Sequence, residues 1–256
     1  MELSKITRLV SQFINDSDFN KVPEIGINRI YDQPLIAVAS ANDKLFAQLK
    51  NPDIIDKNHK NPKEWLEDAE SIISYFLPFS AEIRQANKGD GLPAIEWLYG
   101  RIEGEECNKK LREFIVEEIS RQGGKAVAPA LSLDFKVKHN KSNWSERHVA
   151  FIAGLGTFGL SKSLITEKGC AGRYGSVITN IELQTTIRQY EDLYDYCIMC
   201  GACISRCPVK AIHEKGKDDK VCQQFIDEEI YTKYAPRYGC GKCQTALPCE
   251  DVNPNK

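Results

Sequence analysis

Eight of the ten cysteines in the chain lie between residues 197 and 249. Four of them form the run Cys197-x2-Cys200-x2-Cys203-x3-Cys207, with Pro208 next, a spacing that bacterial 4Fe–4S proteins use. Three thiolates at two-residue intervals wrap three corners of an iron–sulfur cubane, and the fourth lies one helical turn further on and ligates a second cluster. The run therefore predicts one-electron chemistry.

The remaining cysteines complete the ligands that two cubanes need. The crossed pattern gives a first thiol set of Cys197, Cys200, Cys203 and Cys249, and a second thiol set of Cys207, Cys222, Cys240 and Cys243. The second half departs from the usual spacing, because 18 positions separate Cys222 from Cys240 and five residues lie between Cys243 and Cys249.

Other uses of the thiols fit less well. Paired CxxC units also hold zinc, but the run from Cys197 to Pro208 is unusual for zinc. Disulfides are rare in a reducing compartment. Cys107 and Cys170 stand apart from the sets, and we expect buried thiols there.

Composition narrows the class of protein. The chain has 256 residues, 34 basic and 36 acidic side chains and a formal charge of −2, so a nucleic-acid coat or a polybasic membrane binder is disfavoured. No apolar run is long enough to span a membrane. The first residues carry apolar side chains at helical spacing between charges, unlike a signal peptide. We expect a cytoplasmic protein with no membrane partner and no nucleic-acid partner.

Helical and strand-like segments alternate before the cysteine-rich region, which predicts a mixed α/β or α+β domain over residues 1–190 and a smaller cluster domain over 191–256. Expected strands are Pro34–Ser40, Ser71–Leu77 (stopped by Pro78), Lys125–Ala128 and Arg173–Thr179; expected helices are the opening segment and residues 64–69, 105–121 and 145–153.

Gly154, Gly156 and Gly159 match the GxGxxG fingerprint of dinucleotide sites. That fingerprint needs a strand before it and a helix after it, whereas the preceding residues are helical in pattern. The glycines instead indicate a tight turn, or a close backbone approach to a flat group such as a cofactor.

Polar residues on either side of these glycines are further candidates. Glu146 or His148 would donate a proton, although the same segment also reads as a helix start capped by Ser142, Asn143 or Ser145. Arg173, Tyr174, Gly175 and Ser176 would hold amide or phosphate groups of a cofactor tail, or form a strand edge.

Five other positions carry weaker signals. Tyr99 and Arg101 flank Gly100, and we expect a surface loop there rather than a pocket wall. His59, His139 and His213 have no partner pattern, and we expect them to be solvated.

Several stretches in order resemble the epoxyqueuosine reductases and their relatives, the reductive dehalogenases: Ser71–Pro78, Glu146-Arg147, Ala153–Gly156 with Gly159, and both thiol sets. The likeness covers most of residues 65–256. It implies an α+β fold (an α/β three-layer domain of the nitroreductase-like, cobalamin-binding type) followed by a ferredoxin-like domain with two 4Fe–4S clusters. It also implies that the clusters pass single electrons to a base-off cobalamin, which reduces a substrate.

The sequence differs from those enzymes in three respects. The position of their catalytic Asp is held by Asn140, with Asp134 nearby as a possible substitute; the second thiol set is spaced differently; and the sequence ends seven residues after Cys249, where they continue into helical repeats that hold tRNA. We therefore expect a short member of the wider family with an unassigned substrate, not epoxyqueuosine reduction.

Three functions remain open. The chain is an iron–sulfur oxidoreductase acting on a small molecule, an electron-transfer module without cobalamin, or a protein that reduces a corrinoid for another enzyme. Each needs an electron donor of the ferredoxin or flavodoxin type. Two clusters need only ~60 residues, so about 190 further residues favour the first and third functions.

Overall fold

The structure is a computed structural model that describes residues 2–256. Its helices are α1 (Leu3–Asp16), α2 (Leu45–Gln48), α3 (Ala81–Ala86), α4 (Ile95–Arg121), α5 (Glu146–Ala153), α6 (Ala202–Arg206), α7 (Asp219–Phe225) and α8 (Thr232–Tyr234), with a π-helical segment (Ile226–Tyr231) joining the last two. Its strands are β1 (Leu35–Ser40), β2 (Ser71–Pro78), β3 (Ala126–Val127), β4 (Val137–Lys138), β5 (Lys141–Ser142), β6 (Gly156–Phe158), β7 (Leu164–Thr166), β8 (Gly172–Thr179), β9 (Ile212–His213) and β10 (Gly216–Lys217).

A four-stranded antiparallel sheet with the order β1-β2-β8-β3 forms the centre of the molecule. All eight residues of β2 are buried, which explains why its sequence is almost continuously apolar instead of alternating. The register places Tyr75 opposite Gly175 and Ser74 opposite Ser176. The sheet therefore joins two segments that lie about a hundred residues apart in the chain.

Helices cover both faces of this sheet. Ile73, Tyr75 and Leu77 of β2 face one hydrophobic cluster, which includes buried residues of α1 and α4. Ile72 and Phe76 face the other cluster, which includes α5. Successive side chains of a strand point to opposite faces of the sheet, so β2 contributes to both clusters. The sheet thereby carries α4 and α5 on opposite sides of β8, where the candidate site forms.

Most expected elements of the first 190 residues are confirmed, and two differ. Residues 64–69 are not a helix: Pro62–Glu64 form a single 3-10 turn, and irregular turns follow. The helix expected at 105–121 begins ten residues earlier, at Ile95. The buried face of its first turns includes Gly100 and Gly104. Because glycine has no apolar side chain, the apolar periodicity is weak over these turns and the sequence placed the start of the helix too late.

The cysteine-rich segment packs tightly against the sheet domain. The Cys170 N–H donates to the Cys249 carbonyl at 2.9 Å, and the Ala171 N–H donates to the Glu250 carbonyl at 3.0 Å. A Cβ on Gly169 would lie 2.3 Å from backbone atoms of Glu250 and Asp251, so only glycine allows this approach. The division at residue 190 stays a prediction.

Polar contacts from α3 and its following loop hold the same junction. The Arg84 guanidinium lies 3.3 Å from the Glu250 carboxylate, and both side chains are largely buried. The Lys242 ammonium is buried and donates to the carbonyl of Gly89 at 2.7 Å. Within residues 2–256, no helix is long and apolar enough to cross a membrane.

Candidate iron–sulfur and cofactor site

The first thiol set surrounds one small cavity. Cys197 and Cys200 line it from the loop that leads into α6, Cys203 lines it from α6 itself, and Cys249 lines it from the segment docked on Cys170. The loop turns tightly at Gly201, whose φ of +71° lies in the left-handed region. Apolar side chains, among them those of Ile165, Ile198 and Leu247, form much of the remaining wall. A group held here is therefore shielded by hydrocarbon on several sides.

The second thiol set lines a different and larger cavity of about 690 Å³. Cys207 follows α6, Cys222 lies in α7, and Cys240 and Cys243 flank the turn at Lys242. The structure thus groups the eight thiols as the crossed pattern predicts, although a cluster ligand role for each thiol stays a prediction.

The thiols are arranged around open space rather than around a point. Within residues 2–256, no three His, Cys, Asp or Glu side chains are placed to share a single metal ion. Burial raises the pKa of Cys203 to about 11 and that of Cys240 to about 12, with neighbouring sulfurs adding to both shifts. Thiolates at these positions need bound cations to offset their negative charge, and the iron ions of a cubane would supply that positive charge.

A lysine lies beside the second thiol set. The Lys217 ammonium hydrogen-bonds to Cys222 and lines the larger cavity. Burial opposes its charge, but the Cys243 and Cys222 sulfurs outweigh burial and raise the pKa of Lys217. This cation therefore partly neutralises the charge that a cluster would place at the cavity wall.

The opposite walls of the larger cavity come from the sheet domain. Arg173 and Tyr174 reach it from β8, and Trp144 and Glu146 reach it from the start of α5. Arg101, Glu105 and Arg112 reach it from α4. The cavity therefore lies between the second thiol set and the central sheet.

Glu146 presents a carboxylate oxygen to this cavity. Its Oε2 accepts a hydrogen bond from the Ser176 hydroxyl at 2.6 Å, and that hydroxyl also accepts from the Trp144 indole N–H at 2.9 Å. Its Oε1 is buried without a hydrogen-bond partner, 3.6 Å from the Arg112 guanidinium. Burial raises the pKa of Glu146. A carboxyl group that is readily protonated beside a cavity is suited to proton donation.

His148, the other candidate proton donor, does not line the cavity. Its ring packs against Phe158, and its Nδ1 lies 2.8 Å from the Ser145 hydroxyl. Burial lowers the pKa of His148 to about 3, so the ring is neutral near pH 7. The expectation that His59 is solvated is wrong, because its ring is buried against Trp144.

The three glycines of the fingerprint do not line the larger cavity. Gly154 ends α5 with a φ of +98°, so a helix precedes the fingerprint, as the sequence indicated. Gly156 lies in the β6–β7 hairpin, where a Cβ would come within 1.9 Å of the Ile165 carbonyl. Gly159 lies on the first cavity, and a Cβ there would be 3.7 Å from Cys197 Sγ. The glycines thus serve a turn, a hairpin and a close approach to a thiol.

The Arg173–Ser176 segment divides between cavity and sheet. Arg173 and Tyr174 line the cavity. Gly175 packs against the Tyr75 ring, and Ser176 holds Glu146. The first two residues of the segment therefore reach the cavity, and the last two pack within the sheet domain.

Three cavity residues on α4 were missed by sequence reasoning. The expectation of a surface loop at Tyr99 and Arg101 is wrong, because both lie in α4. The Glu105 carboxylate pairs with Arg112 at 2.8 Å and with Arg173 at 2.5 Å. The signal was present: Arg101, Glu105 and Arg112 are spaced by four and seven residues, which places them on one helical face.

Two further positions lie away from the cavity walls. Asp134 pairs with Lys60 at 3.6 Å, and Asn140 occupies the exposed turn between β4 and β5 with a φ of +60°.

Cys107 and Cys170 are both buried, and Cys170 Sγ lies 3.9 Å from Cys249 Sγ.

Comparison with known proteins agrees with this geometry. A model of the 4Fe–4S binding domain family matches residues 191–213. The chain is 29% identical over 205 residues to an epoxyqueuosine reductase of Cellulophaga algicola, a match that covers 73% of this chain and 60% of that relative. It is 30% identical over 152 residues to the epoxyqueuosine reductase of Aliivibrio fischeri, covering 55% and 37% of the two chains. The chain thus spans about 60% of the length of the first relative.

Solved structures show the same fold. The epoxyqueuosine reductase of Bacillus subtilis superimposes with a TM-score of 0.55 at 19% identity, covering 96% of this chain and 66% of that one. A reductive dehalogenase described in connection with B12-dependent dehalogenation superimposes with a TM-score of 0.60 at 14% identity, covering 84% of this chain and 30% of that one. The resemblance read from the sequence is confirmed: the chain is an iron–sulfur protein related to the epoxyqueuosine reductases and shares their fold and that of the dehalogenases.

Proposed function

We propose that the chain is a two-cluster iron–sulfur oxidoreductase that delivers single electrons to a redox centre in the larger cavity. The first thiol set would hold one 4Fe–4S cluster and the second thiol set the other. The observation that supports this most is that all four thiols of the second set line the same cavity as Glu146, Arg173 and Tyr174. An electron donor and a proton donor then face one reaction space.

The residues of the cavity fit a bound cobalamin. Arg112 Nε, Arg173 Nε and Glu146 Oε1 are buried there without hydrogen-bond partners, and the amide groups on the rim of a corrin both donate and accept hydrogen bonds. Cobalamin would supply a cobalt centre that accepts single electrons. Arg173, Tyr174 and Arg112 are the residues that would orient it.

The protein's own groups have definable tasks in this proposal. Ser176 keeps Glu146 in one orientation through the 2.6 Å hydrogen bond. Burial favours the protonated form of Glu146, so the carboxyl group can supply a proton to a reduced substrate. Lys217 and the apolar walls of the first cavity limit the cost of holding anionic clusters in a low-dielectric interior. The substrate is a small molecule that the sequence and fold leave unassigned.

Electrons would enter at the first thiol set. Cys200 is exposed, and the large apolar side chains of Leu193, Tyr194, Ile198 and Met199 around it are 43–50% exposed. Transient redox complexes use small contact areas of this kind. A ferredoxin or flavodoxin fits this surface as the donor, and we place the reaction in the cytoplasm, with no membrane or nucleic-acid partner.

Iron content and optical spectra of anaerobically prepared protein test the proposal. We expect about eight irons per chain, falling to about four in Cys222→Ala and staying unchanged in the matched control Cys107→Ala. Added cobalamin should shift to the base-off spectrum on binding. Unchanged iron in Cys222→Ala would contradict the ligand assignment.

The cobalamin result also separates the alternatives. Full clusters with no cobalamin shift would favour an electron-transfer module. Base-off binding and reduction of cobalamin without turnover of any substrate would favour a corrinoid-reducing protein, which the same cavity accommodates.

A further inference from the structure

Two arginines that line the larger cavity, Arg101 and Arg173, carry positive charge that the nearby carboxylates do not fully balance. Arg101 makes no ion pair with any carboxylate of residues 2–256; its guanidinium instead stacks over the Tyr238 ring at 4.7 Å. Arg173 pairs only with Glu105, and Glu105 also pairs with Arg112. Arg112 has a second carboxylate, that of Glu146 at 3.6 Å, so Arg173 shares its single carboxylate with Arg112, while Arg101 has none.

The two guanidinium groups are also close enough to repel each other. Burial lowers the pKa of Arg101 to about 10, and the charge of Arg173 adds to this shift. Like charges that face one cavity in a desolvated setting are costly unless a counter-charge is present. Arg173 Nε and Arg112 Nε are in addition buried without hydrogen-bond acceptors. Positive charge is thus in excess at the wall of the cavity that α4 and β8 form.

A cluster at the second thiol set would have other cations beside it. The charge of Lys217 interacts with the Cys222 and Cys243 sulfurs, and that of Arg147 interacts with Cys243. Arg101 and Arg173 interact instead with Glu105, with tyrosines and with each other. The cations therefore divide between two anions, one at the thiols and one at α4 and β8.

We propose that Arg101 and Arg173 form an oxyanion-binding site that takes a carboxylate or phosphate group. This deepens the proposed function, on which it rests for the identity of the cavity, by naming the substrate class: a small molecule with an anionic oxygen group. A planar guanidinium fork binds such groups through two parallel hydrogen bonds. The stacking of Arg101 on Tyr238, with Gly239 packed against its side chain, fixes the plane of the fork.

The same site has a second possible source of oxyanion. Cobalamin carries a phosphodiester in its nucleotide tail, whereas cobinamide lacks that tail. The chemistry recognised is the same in both cases, so competition between probes decides whether the anion belongs to the substrate or to the cofactor.

Calorimetric titration of the cluster-loaded protein tests the site with benzoate, its neutral isostere benzamide, and inorganic phosphate. We expect benzoate to bind at least about tenfold more tightly than benzamide, because each lost charge-assisted hydrogen bond weakens binding by about that factor. Arg101→Gln should remove this preference and weaken phosphate binding. Arg101→Lys should restore it in part. Arg121→Gln, an exposed arginine at the end of the same helix, should leave it unchanged.

Cofactor competition completes the test. Displacement of benzoate by cobalamin but not by cobinamide would assign the site to the cofactor's phosphodiester, and benzoate binding beside cobalamin would assign it to the substrate. Equal binding of benzoate and benzamide, or equal phosphate binding by wild type and Arg101→Gln, would overturn the proposal. Because the titration needs neither turnover nor cobalamin, its failure is distinct from failure of the proposed function, which iron content and the cobalamin spectrum report.

Discussion

Replacing Arg84 with methionine should destabilise the attachment of the cysteine-rich segment to the sheet domain. Arg84 lies 3.3 Å from the carboxylate of Glu250, and their side chains are 12% and 5% exposed. Breaking a buried ion pair by removing one partner costs about 3–5 kcal/mol, since the other charge stays buried. Lys88 lies 3.4 Å from Glu250 and remains as a partial partner, so we expect about 3 kcal/mol.

Anaerobic urea unfolding, followed by circular dichroism and by visible absorption of the clusters, measures this effect. Glu250 directly follows Cys249, so Arg84→Met should also lose cluster absorption at a lower urea concentration than wild type. The control is Arg121→Met. Arg121 pairs with Glu117, both side chains are 64% exposed, and an exposed pair contributes at most about 1 kcal/mol.

A double-mutant cycle isolates the pair. Adding Glu250→Gln to Arg84→Met should recover part of the lost stability, because the uncompensated carboxylate is removed. If Arg84→Met and Arg121→Met shift the unfolding midpoint equally, the junction is not held by this ion pair and the reasoning from burial fails.

Three other changes test separate parts of the structure. Lys217→Gln should lower the reduction potential of the cluster at Cys222. A unit charge at ~5 Å and an effective dielectric of ~20 contributes about 3 kcal/mol, which is on the order of 100 mV for one electron. A redox titration followed by electron paramagnetic resonance measures the potential, and an unchanged value would refute the prediction. Gly169→Ala should displace the segment that carries Glu250 and reduce bound iron from about eight to about four; full iron content would show that the close approach is not required. Burial lowers the pKa of His59 to about 4, below its unfolded value of ~6.5. The free energy of unfolding is therefore highest above pH ~6.5 and falls by about 1 kcal/mol between pH ~6.5 and ~5.5. His59→Gln should lack this loss, and an equal shift of the urea midpoint with pH in both proteins would contradict the prediction.

The thiol sets and the main strands could be read from the sequence because local chemistry dictates them. Cubane ligation requires short, regular cysteine spacing, as in the run that ends at Cys207. Burial on both faces requires a nearly continuous apolar run, as in β2. Both signals lie within about ten residues of chain. The partition of the sets followed from a known crossed pattern, despite the long step from Cys222 to Cys240.

The cavity wall could not be read in the same way, because it depends on pairings across long separations. The packing of α5 on β8 brings Ser176 to Glu146, which lies 30 residues away in the chain, and nothing local encodes that packing. On α4, charged residues at helical spacing usually mark a solvated face. Arg101, Glu105 and Arg112 instead point at a cavity because the cysteine-rich segment covers them.

In the proposed function, the arrangement of the two thiol sets determines the direction in which electrons flow. The first set has an exposed member, Cys200, near exposed apolar side chains, whereas the second set faces the larger cavity. Protein donors contact only surfaces, and a small substrate is best protected from side reactions in an enclosed space. Electrons would therefore enter at the first set and leave at the second, where Lys217 favours the reduced, more negative state of a cluster. Reversing that order would require a protein partner to reach the cavity and a substrate to react at the surface, and the placement of Glu146 beside the second set argues against it.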